Sequence, residues 1–194
     1  MDDSDLSGVA PPGDADAWEA AFAPYDAATY DAALGYLRPD DVALDIGAGD
    51  LRFARLAAAR CRRVFAIERR AELIPAGLAA GAVSVLVGDA RTLPFPRGVT
   101  VGVLLMRHCR HYRQYADKLQ AVGCRRLITN ARWGMDVEEV RLDAPRRPYA
   151  AASGGWYACS CGAVGFAPGP AEWIDPAALA RVVEVGECPK CARP

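Results

Sequence analysis

Between residues 42 and 131, short apolar runs alternate with stretches of helical spacing, and this alternation narrows the possible folds more than any other feature. "VALDIG" (42–47), "RVFAIE" (63–68), "AVSVLVGDA" (82–90), "VTVGVLLM" (99–106) and "RRLITNA" (125–131) each suit a buried strand. Among them lie "LRFARLAAARC" (51–61), "RRAELIPAGLAAG" (69–81) and "YRQYADKLQAVG" (112–123), all with helical spacing. Pro75 is expected to shorten or kink the second of these, and Gly123 to cap the third. Strands separated by helices pair in parallel through right-handed crossovers, so the pattern predicts a doubly wound, mostly parallel α/β sheet. Past Ala131 the rhythm fails. "VEEVRL" (137–142) is one more candidate strand, but no helix precedes it, and the sheet is expected to be truncated after its fifth strand.

The flanks have a different character. Residues 1–14 are acidic and rich in Pro and Gly, and read as a flexible lead. From Trp18 to Leu37, aromatic and apolar residues recur at three- to five-residue steps, the mark of one or two helices separated by Pro24. The αβ domain is expected over 15–149, and a cysteine-bearing segment over 150–194. No basic start with an apolar stretch appears, and no run approaches the roughly 20 apolar residues of a bilayer span. The reading is therefore a cytoplasmic protein without membrane association, its cysteines reduced or metal-bound.

Net charge is -1, but residues 1–50 hold twelve acids against one arginine while the remainder holds 22 basic residues against 12 acids. That asymmetry is compatible with a polyanion partner. Yet 21 of the 23 basic residues are arginine, a bias of composition as much as of function.

The first predicted strand ends in "DIGAGD". In a doubly wound sheet, ligands sit at the carboxyl ends of strands where the strand order reverses, and glycines there let the backbone approach them closely. A dinucleotide fingerprint needs a third glycine where this chain has Arg52, and does not include an acid two residues before the first glycine. With Asp45 ahead of Gly47 and Gly49, the stretch resembles the first motif of class I S-adenosylmethionine-dependent methyltransferases, acid-x-G-x-G. The next landmarks agree: Glu68 closes the second strand, and Asp89 follows the third in "VGDARTLPF". The resemblance covers roughly residues 25–131. It implies S-adenosylmethionine as cofactor, with Asp45, Gly47, Ala48 and Gly49 at its amino-acid end, Glu68 at the ribose, Arg69 among the cofactor-binding residues, Asp89 and Ala90 at the adenine, and Met106 and His108 lining the methyl-transfer mouth. It also implies that the helix holding Tyr25 and Tyr30 closes over the cofactor.

In this family the end of the fourth strand faces the acceptor. Base-directed amino methyltransferases carry an N/D-P-P-Y motif there; this chain has "LLMRHCRHY" (104–112), which withdraws support from that subclass. Transfer to oxygen or to a protonated nitrogen needs a proton acceptor. The chain's two histidines, His108 and His111, lie here, and either is a candidate base. The competing reading makes them solvated residues at a helix start, in a basic rim of Arg107, Arg110 and Arg113. The acceptor is left open among RNA, protein and small molecules.

Four cysteines fall in the C-terminal segment: Cys159 and Cys161 in "CSC", Cys188 and Cys191 in "CPKC". Paired thiolates on two tight turns are the donor set of tetrahedral zinc. The segment resembles a zinc ribbon with its first pair shortened to C-x-C, and a structural zinc is expected in preference to disulfides or an iron–sulfur cluster. Too few apolar residues are present for the segment to fold without metal. From Ala150 onward it holds three basic and four acidic residues, so its charge does not mark a nucleic-acid clamp. Covering the substrate pocket or docking a protein partner are the roles expected of it. Cys61 and Cys124 read as packing residues, Cys109 as exposed.

Overall fold

The computed structural model describes residues 24–76, 83–134 and 136–191. The acidic lead, the first helical candidate before Pro24 and the end of "RRAELIPAGLAAG" lie outside these residues.

Five strands form the parallel body of one sheet: β1 (Val42–Ile46), β2 (Arg63–Glu68), β3 (Val83–Val87), β4 (Val101–Leu104) and β5 (Arg126–Thr129). A sixth, β6 (Glu138–Arg141), extends the sheet by pairing antiparallel with β5. The order is β3-β2-β1-β4-β5-β6. The direction of winding therefore reverses between β1 and β4, where a crevice opens at the strands' carboxyl ends.

Three helices cover the sheet. Helix α1 (Ala27–Gly35) starts at Asp26, whose side chain accepts a hydrogen bond from Thr29 N at 2.7 Å, and turns Tyr30, Ala33 and Leu34 inward. Helix α2 (Arg52–Ala57) packs Phe53, Ala54 and Ala57 beneath it. On the other face α3 (Tyr112–Ala121) buries Tyr112, Tyr115, Ala116 and Leu119, one apolar stripe at steps of three and four. It stops as the sequence predicts. Gly123 is left-handed at φ +84°, its N–H bonds Gln120 O, and Cys124 N reaches Leu119 O, which together make a Schellman motif.

Over "RRAELIPAGLAAG" the described part forms only a 3₁₀ turn, Ala71–Leu73. Pro75 disfavours helical geometry at the residue before it, and Ile74 is extended at ψ 120°.

A buried ionic cluster closes the sheet's amino end, opposite the crevice. Arg126 Nη1 bonds both Asp41 oxygens at 2.8 and 2.9 Å, its other nitrogens reach Glu139 and Tyr36 O, and Thr100 Oγ1 donates to Asp41.

The cysteine segment builds a second sheet of β7 (Gly155–Cys159), β8 (Val164–Ala167) and β9 (Val182–Val185), in the order β8-β7-β9. Strands β7 and β8 form an antiparallel hairpin, whereas β9 runs parallel to β7 after a short helix, α4 (Pro176–Leu179). Arg132, just past β5, joins the two sheets. It bonds Glu138 with Nε and Nη2 at 2.7 Å and Glu184 with Nη1 and Nη2 at 2.9 and 2.7 Å. Arg146 reaches the same Glu184.

Candidate active site and thiolate cluster

A cavity of about 320 Å³ opens at the crevice between β1 and β4. Of the ten residues expected around cofactor and acceptor from Asp45 to His108, every one lines it: Asp45, Gly47, Ala48, Gly49, Glu68, Arg69, Asp89, Ala90, Met106 and His108. His111 does not line it. It precedes the first turn of α3, with its ring edge-on to Tyr115.

The glycine turn is built for close approach. Gly47 is left-handed at φ +75°, and a Cβ on it would stand 2.8 Å from Met106 Cε. The turn's peptide N–H groups are already committed: Gly47 N and Ala48 N donate to Ile67 O at 2.9 and 3.0 Å, and Gly49 N to Glu68 Oε2 at 2.7 Å. None of the three is left for a diphosphate, and two carboxylates face the space a diphosphate would occupy. Dinucleotide binding is thereby disfavoured on geometry and on charge.

Asp45 is 4% exposed, and its Oδ2 has no hydrogen-bond partner among the described residues. Burial, followed by the charge of Glu68, pushes its carboxyl up to about 7. A buried oxygen of this kind lacks a donor, and an ammonium supplies one. Glu68 is also buried; Oε1 accepts from Arg70 N at 2.9 Å and from Arg70 Nε at 3.4 Å, while Oε2, bonded by Gly49 N, keeps one lone pair for a further donor. Asp89 is held differently. The Arg91 side chain and peptide N–H clasp it at 2.5 to 3.0 Å and hold its carboxyl down to about 2.

From α3, Lys118 Nζ bonds Ala90 O and Leu93 O and lies over the Phe95 ring, fixing the loop beyond Asp89. On the opposite wall, Tyr25 accepts a hydrogen bond from Arg107 N at 3.0 Å, and the Arg107 guanidinium covers its ring at 4.8 Å. Tyr25 and Tyr30 both line the cavity, so the segment entering α1 forms one side of it. His108 adopts φ +59°, a left-handed conformation uncommon outside glycine, at the point where β4 delivers the chain to the mouth.

Sequence reasoning missed Arg91, Tyr115 and Leu105 in the lining. Arg91 follows a recognised acid, and its pairing was available as an i, i+2 clasp. Tyr115 carries no local signal, because its place depends on how α3 crosses the sheet. Cys109 is buried, not exposed, and Cys61 is half-buried.

The four C-terminal cysteines converge because β7 and β9 are parallel neighbours: both pairs leave the same end of the second sheet. Their sulfurs all lie within 4.8 Å of one another. Cys159 Sγ stands 3.5 Å from Cys191 Sγ, while Cys161 and Cys191 each stand 3.8 Å from Cys188. Four sulfurs about 2.3 Å from a central ion are about 3.8 Å apart at the corners of a tetrahedron, so the donor set fits zinc. The shortened first pair closes through Gly162 at φ +92°, whose N–H bonds Cys159 O, and the second through Cys191 N to Cys188 O. Gly162 also rests on the Tyr112 ring, which the Arg132 guanidinium faces at 5.9 Å.

Comparison with known proteins agrees with this geometry. Residues 44–129 match the family described as "Methyltransferase domain". Residues 44–129 thus lie in a Rossmann-like domain similar to that family, and a cysteine cluster compatible with zinc follows it. Similar solved structures include a precorrin 8W decarboxylase from Methanobacterium thermoautotrophicum (23% identity, 57% of this chain and 65% of that one, TM-score 0.46). Phosphoethanolamine N-methyltransferase 1 of Haemonchus contortus is another (22%, 55% and 26%, TM-score 0.45). A third is a dimethyladenosine transferase from Plasmodium falciparum (16%, 54% and 41%, TM-score 0.46). In each case the match spans less than two thirds of the other protein. No curated protein matches the chain. No helix of the described residues is long and apolar enough to cross a membrane.

Proposed function

We propose that this chain transfers a methyl group from S-adenosylmethionine to an acceptor presented at the carboxyl end of β4. The observation that carries this reading is the buried, unpartnered Oδ2 of Asp45 in a cavity shared with Glu68 and Asp89. Asp45 receives the ammonium, Glu68 the ribose hydroxyls, and the Ala90 segment the adenine. The bound cofactor supplies an electrophilic methyl on its sulfonium. Around it the chain's own groups orient and enclose: the Tyr25–Arg107 contact walls one side, and Met106 fills the space that Gly47 leaves. His108, at the mouth, takes the acceptor's proton where the acceptor carries one. His111 is the weaker candidate, since its ring faces Tyr115 and not the cavity. Cys159, Cys161, Cys188 and Cys191 hold a structural zinc in a small module from about residue 150, and the setting is cytoplasmic.

Calorimetry with S-adenosylmethionine and S-adenosylhomocysteine tests the cofactor half. Methyl transfer from labelled cofactor to RNA, protein and metabolite fractions tests the chemistry. A second reading, a binding module that keeps the cofactor site without turnover, is favoured by the absence of an N/D-P-P-Y segment after β4. Tight cofactor binding with no labelled product in any fraction would select it.

A further inference from the structure

The second sheet has two faces. One carries Tyr157, Cys159, Ala167, Val183 and Val185 into its own small core. The other is divided. In one row Ala158 is paired with Glu184 and is wholly buried where Arg132 ties the sheets together. In the next row outward, the register aligns Phe166, Trp156 and Val182 across all three strands. These three are exposed by 36, 37 and 44%, Trp156 on the central strand and the other two on the strands flanking it. Trp156 stands edge-on to Phe166 with centroids 5.5 Å apart, and edge-on to Trp133 at 6.2 Å. Trp173, beside Gly154 at the head of β7, is more than half exposed.

Trp133 lies four residues past the end of β5, and Arg107 three past the end of β4; these strands are parallel neighbours, so both loops leave the carboxyl end of the main sheet. The loop after β4 and the start of α3 are strongly basic. From 104 to 116 there are three arginines, Arg107, Arg110 and Arg113, with both histidines and no acid. Gly162 of the second sheet rests on Tyr112 within that same run. The aromatic ledge, joined to the main sheet through Trp133, and the acid-free cationic run, met by the second sheet at Tyr112, thus both lie where the two sheets come together, and Arg107 and His108 of the run line the cavity.

We infer that a single-stranded nucleic acid docks here, its bases stacking on Trp156, Phe166 and Trp133 and its phosphates drawn to the 107–113 run. Stacking on aromatic side chains tolerates any base and needs no positive charge from the surface that provides it, which accounts for a ledge on a segment of net charge -1. A folded duplex hides its base faces and gains nothing from the ledge. The inference deepens the proposed methyl transfer by naming the acceptor class, but the docking surface itself rests on observations outside the cofactor site.

The test uses the full chain with zinc bound and fluorescein-labelled oligonucleotides of about 12 nucleotides, as RNA, as DNA and as duplex, read by anisotropy. Both single strands are expected to bind more tightly than the duplex, and a difference between RNA and DNA would show which is read. Trp156→Ala weakens binding about tenfold or more, and Trp156→Phe restores most of it. Arg113→Ala lowers the slope of log affinity against log salt by about 0.7. Circular dichroism confirms that each variant is folded. Absence of single-strand binding at about 50 mM salt, the result expected if the ledge seats a protein, overturns the inference. So does affinity unchanged in Trp156→Ala. S-adenosylhomocysteine calorimetry on the same samples keeps the two readings apart, since cofactor binding without oligonucleotide binding removes only the ledge.

Discussion

Glu68, the last residue of β2, closes the turn that follows β1: its Oε2 accepts a 2.7 Å hydrogen bond from the peptide N–H of Gly49. The acid that the sequence marks as a ribose ligand therefore also fastens the glycine turn. Glu68→Ala leaves the Gly49 and Arg70 N–H groups without this acceptor, at a cost of about 1–3 kcal/mol, and weakens S-adenosylhomocysteine binding tenfold or more. Glu68→Gln keeps an acceptor for one of them and is expected to fall between. Urea unfolding and calorimetry separate the two effects; equal cofactor affinity in Glu68→Ala and the parent would remove the ribose role.

Asp45 predicts a pH dependence. Its folded value of about 7 lies above the ordinary carboxylate value near 3.9 of an unfolded chain. Between these values the folded protein holds a proton that unfolding releases. This group's contribution is therefore fully present below about pH 4, falls as pH rises towards 7, and is flat beyond. The loss amounts to roughly a few kcal/mol, one pK unit being about 1.4. Asp45→Asn removes the slope, as urea midpoints at several pH values will show. A cation bound against Asp45 favours its ionised form, so cofactor binding near pH 6 releases close to one proton, visible as a dependence of calorimetric heat on the buffer.

Gly47→Ala meets two obstacles, a left-handed φ and the Met106 methyl. The first costs about 1–2 kcal/mol and the second displaces Met106 from the cavity wall. Cofactor affinity is expected to fall at least tenfold. Adding Met106→Ala relieves the clash but not the backbone strain, so stability recovers in part, a split that thermal melts read directly.

At the far end of the sheet, Asp41→Ala leaves Arg126 buried beside Glu139 without its two-oxygen partner. Removing one member of such a pair costs about 3–5 kcal/mol. Because the cluster lies at the strands' amino ends, cofactor affinity of the folded fraction is expected to be unchanged.

For the thiolate cluster, one zinc per chain is expected by elemental analysis. Cys161→Ser lowers zinc occupancy and opens residues 155–185 to protease, with the cofactor still binding. Protection equal to the parent's after complete zinc removal would show that the second sheet folds without the ion.

Much of this was legible beforehand because it lies in local pattern. The five parallel strands follow from apolar runs broken by glycine and acid, and Asp45, Glu68 and Asp89 stand at strand ends that the alternation itself locates. The cysteine pairs declare themselves by composition, but not the parallel pairing of β7 with β9 that unites them, since a hairpin return is equally compatible with the spacing. Pro75 stands out in the sequence as a perturbation, and among the described residues the stretch before it forms only the 3₁₀ turn Ala71–Leu73. His108 and His111, three residues apart, look equivalent in the sequence; the left-handed backbone at His108 and the helix start at His111 send their rings to different places. Arg132 gave no signal at all, because its partners Glu138 and Glu184 come from two different sheets.

That arginine has a further consequence. With 2% of its side chain exposed, it serves carboxylates from β6 and β9 at once, so the two sheets cannot separate without breaking the Arg132–Glu184 pair. Heat is therefore expected to melt the zinc-loaded chain in one cooperative transition, the small sheet surviving to the temperature at which the large one fails.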